Sequence, residues 1–206
     1  MEQQVTKEHY NFGKYTTPGR WMSHYHQIRS ILRFAPKSVL EIGVGDGVLR
    51  AYLQRNADMT YTSADIAADL QPDIVASVTA LPVPDQSHDV TCAFQVLEHL
   101  PFEEVPKALA ELCRVARKGV VISLPHNGPS FAFLLRLPLL PALRWACKIP
   151  LPQRHTFDGE HYWEIGKRGY PLSRVRRMLR GVADIESEFL VFENPYHRFF
   201  LLRPRR

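Results

Sequence analysis

Apolar residues recur along the chain in two rhythms. Short apolar runs alternate with stretches whose apolar positions are spaced three and four apart. A helix is predicted over Trp21–Phe34. Ser38–Ile42 then reads as a buried strand, and the glycine-rich turn after it opens a helix through Leu49 to Gln54. Tyr61–Ala64, Asp73–Ala76 and Asp89–Phe94 predict three more strands, the last preceded by the turn residues Pro84-Asp85-Gln86-Ser87. In Pro101–Val115 the residues Val105, Ala108, Leu109, Leu112 and Val115 fall on one helical face, and Gly119–Leu124 supplies a fifth strand before Pro125. Leu172–Arg180 predicts a helix with Val175, Met178 and Leu179 turned inward. The runs Glu186–Phe192 and Arg198–Leu202, joined at Asn194-Pro195, then form a closing pair. Strand–helix alternation ending in an antiparallel pair implies a doubly wound sheet with helices on both faces.

Composition narrows the class. The 206 residues, 45% hydrophobic and 23% charged, are enough for one α/β domain with a buried core, and no repeat or Gly/Ser-rich linker divides them. Cys92, Cys113 and Cys147 are odd in number and lack ligand spacing, so neither a disulfide framework nor a zinc site is expected and a reducing, cytoplasmic setting fits. The first fifteen residues lack the apolar core of a secretory signal, and no run reaches the roughly 18 apolar residues of a spanning helix. The expectation is a protein neither secreted by a signal peptide nor integral to a membrane.

The net charge of +5 is uneven, because residues 166–206 carry 10 basic and 4 acidic residues. Arg174, Arg176, Arg177 and Arg180 punctuate one helix, but no RNA-binding motif accompanies them, so a solvated face is expected rather than a nucleic-acid partner. Arg203, Arg205 and Arg206 read the same way.

Chemistry enters at Val39-Leu40-Glu41-Ile42-Gly43-Val44-Gly45-Asp46-Gly47. Glycines two apart at a strand's end let a ligand approach the backbone, in front of the unpaired N–H groups of a helix N-terminus. In a dinucleotide fingerprint the third glycine would stand at Val48, so NAD is disfavoured. Asp65 ends the second strand 18 residues beyond Gly47, where a carboxylate can accept hydrogen bonds from a ribose diol.

From these residues the chain resembles the class I S-adenosylmethionine-dependent methyltransferases of small-molecule type. The E/D-x-G-x-G-x-G turn and the acid after strand two are joined by Leu81-Pro82, Asp85-Gln86-Ser87-His88-Asp89 and Leu97-Glu98-His99-Leu100-Pro101, over about Ser38–Leu124. The resemblance implies S-adenosyl-L-methionine as cofactor. It also implies that Gly43, Gly45 and Gly47 approach the methionine and ribose, with Glu41 near the amino-acid moiety. Asp65 would hold the ribose hydroxyls and Ile66 would pack on the adenine. Ser77 stands where many relatives carry an acid that reads the adenine amino group, with the Val78 N–H beside it. Gln95 would face the cofactor across the switch point.

Methyl transfer from a sulfonium is served mainly by orientation and desolvation, so a general base is optional. His99, after strand four, is the first candidate for that role and His126, after strand five, the second. The segment 155–165 is dense in aromatic and titratable residues, and His155, His161, Tyr162 and Trp163 are candidates to line an acceptor site. Tyr10, Tyr15, Trp21 and Tyr25 either close over the cofactor from the other side or pack a helix on the sheet.

The greasy stretch 131–149 carries Arg136, Arg144 and Lys148, and Pro138 and Pro141 interrupt it. Two short amphipathic helices are expected, either as a lid that touches a lipid-linked substrate or membrane surface, or packed on the core. The reading is therefore a single Rossmann-like domain of seven strands, mostly parallel with an antiparallel C-terminal strand. Its parts are an N-terminal helical cap (1–36), a cofactor-binding core (37–125), a lid-like insertion (126–165) and a closing helix and strand pair (166–206). The expected activity is methyl transfer to a small or lipid-linked metabolite. The alternatives are an RNA or protein methyltransferase, or a non-catalytic binding module that keeps the fold.

Overall fold

The computed structural model describes residues 7–56, 58–157 and 159–205; Arg206 of the basic end lies outside them. Seven strands form one sheet: β1 (Ser38–Ile42), β2 (Thr60–Asp65), β3 (Ile74–Val75), β4 (His88–Phe94), β5 (Ala116–Pro125), β8 (Ala183–Leu190) and β9 (His197–Pro204). A separate two-stranded sheet is made by β6 (Ser130–Leu135) and β7 (Leu143–Lys148). The large sheet has the order β3-β2-β1-β4-β5-β9-β8, with β9 antiparallel to both its neighbours and the other pairings parallel. β1 and β4 run parallel, but strands are added outward from β1 in opposite directions on its two sides, which opens a crevice at the carboxyl ends of β1 and β4.

Strand periodicity sorts the core into two faces. Leu40 and Ile42 of β1, Ala93 of β4 and Val120, Ile122 and Leu124 of β5 pack toward α4 (Val105–Val115) and α5 (Leu172–Val182). Val39, Val90, Cys92 and Val121 point the other way, against α2 (Pro18–Leu32) and α3 (Val48–Asn56). Because both faces are covered, the parallel strands read as nearly continuous apolar runs rather than alternating ones. A short helix, α1 (Phe12–Tyr15), precedes α2.

α4 begins at Val105 rather than Pro101. Pro106 is tolerated in the first turn, and residues 101–104 make a separate turn before it. The Asp85…Asp89 block is structural. Arg114 binds Asp85 at 2.6 Å and the carbonyls of Leu81 and Val83, while Asp89 accepts from the Lys37 N–H at 2.7 Å and from Arg117 at 2.8 Å. Burial opposes ionisation of Asp89, but those donors and Lys118 hold its carboxyl down at about 2.

The insertion corrects the expectation of helices. Residues 130–148 form an antiparallel hairpin, β6 on β7, whose six β6 residues are all exposed. Pro129, Pro138, Pro141 and Pro150 leave segments too short to sustain a helix, whereas a hairpin satisfies its backbone across six paired positions. Phe131 and Trp145 lie on one face with ring centroids 6.0 Å apart. Among the described residues no helix is long and apolar enough to cross a membrane, and all three cysteines are free thiols.

Candidate active site

The glycine turn caps the crevice. Gly43, Gly45 and Gly47 have φ of +85°, +55° and +72°, which side chains rarely adopt. A Cβ on Gly43 would also stand 2.4 Å from Val96 Cγ2, so this position needs glycine for packing as well as for backbone shape. Gly47 is not part of the cleft lining; it turns the chain into α3, and the Val48 N–H is capped by Asp46 Oδ1 at 3.2 Å. The other Asp46 oxygen meets His24 Nε2 at 3.1 Å, which ties the turn to α2.

Asp65 is placed by the end of β2. Its two carboxylate oxygens accept the N–H groups of Val44 and Ala67, each at 2.8 Å. An ionised carboxylate offers about four lone-pair directions, so two backbone donors leave capacity toward the cleft. Asp65 is thus both the brace of the glycine turn and an acceptor on the cleft wall.

A cleft of about 290 Å³ gathers Gly43, Gly45, Asp65, Ile66, Gln95, His99 and His161. Tyr10 closes it from the N-terminal side, its Cε1 3.7 Å from the place of a Cβ on Gly45, and Tyr15 packs on Tyr10 beneath the guanidinium of Arg20. Trp21 and Tyr25 do not join them. They line a larger open groove of about 980 Å³ over α2, which contains none of the turn glycines and no Asp65. Gln95 holds φ of +56° while its side-chain amide donates to Ser123 Oγ at 3.1 Å. Such backbone strain costs about 1–3 kcal/mol and concentrates at functional sites.

Several expected contacts lie elsewhere. Strand alternation turns Glu41 away from the cleft to the Tyr61 hydroxyl, which donates to it, and burial pushes its carboxyl up to about 8. Ser77 Oγ meets Thr79 Oγ1 at 2.9 Å and Val78 is in the core; neither lines the cleft, whose far wall is Ile66, Ala67 and Leu70. His126 is buried beside β9, where its Nδ1 accepts from Arg198 Nε at 3.0 Å. Burial, with Arg198 and Lys148 nearby, pushes it down to about 3, so it stays neutral and apart from the cleft. Trp163 corrects an expectation outright: it is 0% exposed, packed edge-on against Phe102 at 5.0 Å in the core, and touches no acceptor space. Tyr162 is exposed and packs on Phe157. His155 Nε2 meets the His161 carbonyl at 2.9 Å and so shapes the loop rather than the cleft.

The end of the cleft opposite the glycine turn joins distant segments. His99 follows β4, His161 belongs to the 155–165 segment, and their rings meet at 5.0 Å in a T-shape. His99 Nδ1 lies 3.0 Å from the Glu160 carbonyl, and His161 Nδ1 lies 3.0 Å from Glu164 Oε1, which also accepts the Tyr196 hydroxyl at 2.7 Å. Behind His99 sits Glu98, fully buried, with neither carboxylate oxygen hydrogen-bonded; burial pushes it up to about 8. Tyr196 and His197, from the turn into β9, complete this wall, and burial pushes His197 down to about 3. Arg20, Tyr196 and His197 carried no local motif; the Asn194-Pro195 turn was the nearest sequence signal for Tyr196 and His197, and Glu160 fell within the 155–165 segment.

Comparison with known proteins finds a matching family model and similar folds. A family model described as a methyltransferase domain matches residues 40–124. No curated protein matches the chain by sequence. The fold is similar to 1,6-didemethyltoxoflavin-N1-methyltransferase of Burkholderia thailandensis, solved with 1,6-didemethyltoxoflavin and S-adenosylhomocysteine bound: TM-score 0.63 at 14% identity, covering 97% of this chain and 85% of that one. Magnesium protoporphyrin IX methyltransferase from Synechocystis PCC 6803, with S-adenosylhomocysteine, gives 0.61 at 15% identity, covering 98% and 90%. The N-methyltransferase NodS of Bradyrhizobium japonicum WM9 gives 0.60 at 12%, covering 92% and 89%.

Proposed function

We propose, from the premise that the chain is a class I S-adenosylmethionine-dependent methyltransferase, that it methylates a small or lipid-linked metabolite at the His99–His161 end of its cleft. The observation that carries this is the cleft itself. The braced glycine turn and Asp65 stand at one end, the histidine pair stands at the other, and Tyr10 covers the turn.

Asp65 accepts the ribose hydroxyls, Ile66 flanks the adenine, and Gly43 and Gly45 admit the methionine portion. The reaction forms one bond from an acceptor lone pair to the methyl carbon and breaks the carbon–sulfur bond, leaving a neutral thioether. For a hydroxyl or carboxyl acceptor, the proton leaves to His99. Its Nδ1 hydrogen is directed at the Glu160 carbonyl, so the lone pair is on Nε2. Most of the rate comes from alignment in a cleft shielded by Tyr10 and Tyr15.

The hairpin supports the lipid-linked choice of acceptor. Phe131, Phe133, Leu139, Leu140 and Trp145 are exposed, with Arg136 beside them, a composition suited to the interface of an anionic bilayer. On this reading the enzyme is cytoplasmic and works peripherally at the membrane surface. A small metabolite free in solution, like the 1,6-didemethyltoxoflavin bound by the Burkholderia thailandensis enzyme, is the other form of the same reading.

Titration with S-adenosylhomocysteine, followed by turnover of radiolabelled methyl donor on lipid extracts and on aqueous metabolite extracts, tests the reading. Micromolar cofactor binding that is weakened by Asp65→Ala, with label transferred to an extract, supports it. Folded protein that binds no adenosyl ligand overturns it. Binding without transfer to either extract favours the non-catalytic module.

A further inference from the structure

The end of the cleft holds more chemistry than methyl transfer requires. Glu98 is fully buried and neither of its oxygens has a hydrogen-bond partner. A carboxylate taken out of water without a partner is costly, and native structures rarely keep one without a proton or a cation to offset it. The ligating atoms of Glu98, His99 and His161 all lie within 4.8 Å of one another.

The two imidazoles are also set in one tautomer. A carbonyl oxygen can only accept, so the 3.0 Å contact of His99 Nδ1 with Glu160 places the hydrogen on Nδ1. The 3.0 Å contact of His161 Nδ1 with Glu164 does the same. Glu164 Oε1 also accepts the Tyr196 hydroxyl at 2.7 Å, so in the pair with His161 the ring nitrogen is the donor and the carboxylate oxygen the acceptor. In both rings the lone pair therefore belongs to Nε2. An imidazole whose other nitrogen donates to a carboxylate or a backbone carbonyl is the arrangement in which histidine ligates metals.

We propose that Glu98, His99 and His161 form a binding site for a divalent cation of the kind that favours mixed imidazole and carboxylate ligands. Metal–ligand bonds of about 2.1 Å separate neighbouring donors by roughly 3–3.5 Å, so small side-chain rotations bring this set together. Glu98 closes the site from the core side, while His99 and His161 line the cleft, so the remaining coordination positions face the acceptor. Three protein ligands with an open face define a site that takes an oxygen-bearing ligand, such as an acceptor hydroxyl or carboxylate. With the cation in place, His99 becomes a ligand rather than a proton acceptor, and lowering the acceptor's pKa falls to the metal. Binding of the cation does not depend on the function proposed above; only its use in methyl transfer rests on that reading.

The test is calorimetric titration of the metal-free full chain with Zn²⁺ alone, paralleled by the visible absorption of added Co²⁺. Saturable binding of one equivalent is expected. It is lost in both Glu98→Gln and His161→Ala, and weakened about 10–100-fold in Glu164→Gln, a residue that orients His161 without being a ligand. Glu98→Gln keeps the shape of the side chain, and circular dichroism establishes that each variant is folded. Absence of saturable binding by the parent protein overturns the site, as does binding that survives either substitution in folded protein. S-adenosylhomocysteine titrated into the same samples separates the two readings: cofactor binding without metal sinks this site alone, and metal without cofactor sinks the methyltransferase reading alone.

Discussion

The glycine turn and the 130–148 hairpin both follow sheet strands and both are rich in small or apolar residues, yet they are built in opposite ways. In the turn, each backbone feature is set by a neighbour: Asp65 receives two N–H groups, Gly43 abuts Val96, and Asp46 caps α3 while bonding His24. The hairpin strands pair only with each other. The body holds them through a few links, Arg144 to Glu193 at 2.6 Å and Lys148 to the Gly128 carbonyl at 2.9 Å among them. The lesson is a division of labour. The glycine-turn end of the cleft is preorganised, which would save ordering cost on binding, and the hairpin displays apolar surface that the core does not need.

Substitution at Gly43 gives the largest contrast. Gly43→Ala meets both the positive φ and Val96, so S-adenosylhomocysteine binding measured by calorimetry is expected to fall about 100-fold or more, with a loss of stability of about 1–3 kcal/mol. Adding Val96→Ala restores space but not backbone freedom, so recovery should be partial; full recovery would show that only packing mattered. Asp65→Asn comes next. It keeps the volume and loses the charge, and each charge-assisted bond contributes about 1.5–3 kcal/mol, so roughly 10–100-fold weaker cofactor binding is expected.

Titration gives a smaller effect on the folded core. Glu41 is neutral in the folded protein up to about pH 8, whereas in the unfolded chain it ionises near 4.3. Between those values the folded state binds the extra proton, so Glu41 favours folding below about pH 4 and its contribution fades as pH rises toward 8. Glu41→Gln keeps a partner for Tyr61 and should flatten the fall in unfolding free energy, measured by urea titration, between pH 5 and 8 by an amount on the order of 1–3 kcal/mol. An unchanged slope would mean Glu41 is ionised when buried.

The smallest stability effect belongs to the hairpin. Leu139→Ser with Trp145→Ser should move unfolding free energy by no more than about 0.5 kcal/mol, because both residues are exposed. The same pair should abolish sedimentation with anionic vesicles. If it instead destabilises the fold, the hairpin is part of the core and the comparison fails.

Legibility followed range along the chain. Ser38–Ile42 was readable to the residue, because a strand covered on both faces is an unbroken apolar run, and Asp65 was readable because one turn and one strand end define its place. The insertion was misread because short apolar segments between prolines carry no decisive period; the strand pairing of Phe131 with Cys147 is a contact, not a pattern. Trp163 was misplaced for a related reason. Aromatic density marks a site and a core equally, and only the packing of Phe102 and Tyr170 around it assigns it to the core.

By itself the sequence determined the alternation of strands and helices, the seven-stranded doubly wound sheet and the glycine turn with its acid. All of these depend on propensity, periodicity and spacing over a few residues. Tertiary structure alone decided that Glu41, His126 and Trp163 turn away from the cleft, and that Tyr10 and Tyr196 turn toward it. It alone decided that His161 meets His99 over a buried Glu98. Those placements join segments far apart in the chain, His99 and His161 being 62 residues apart, and only the closing of the sheet and its loops into one packed body brings them together.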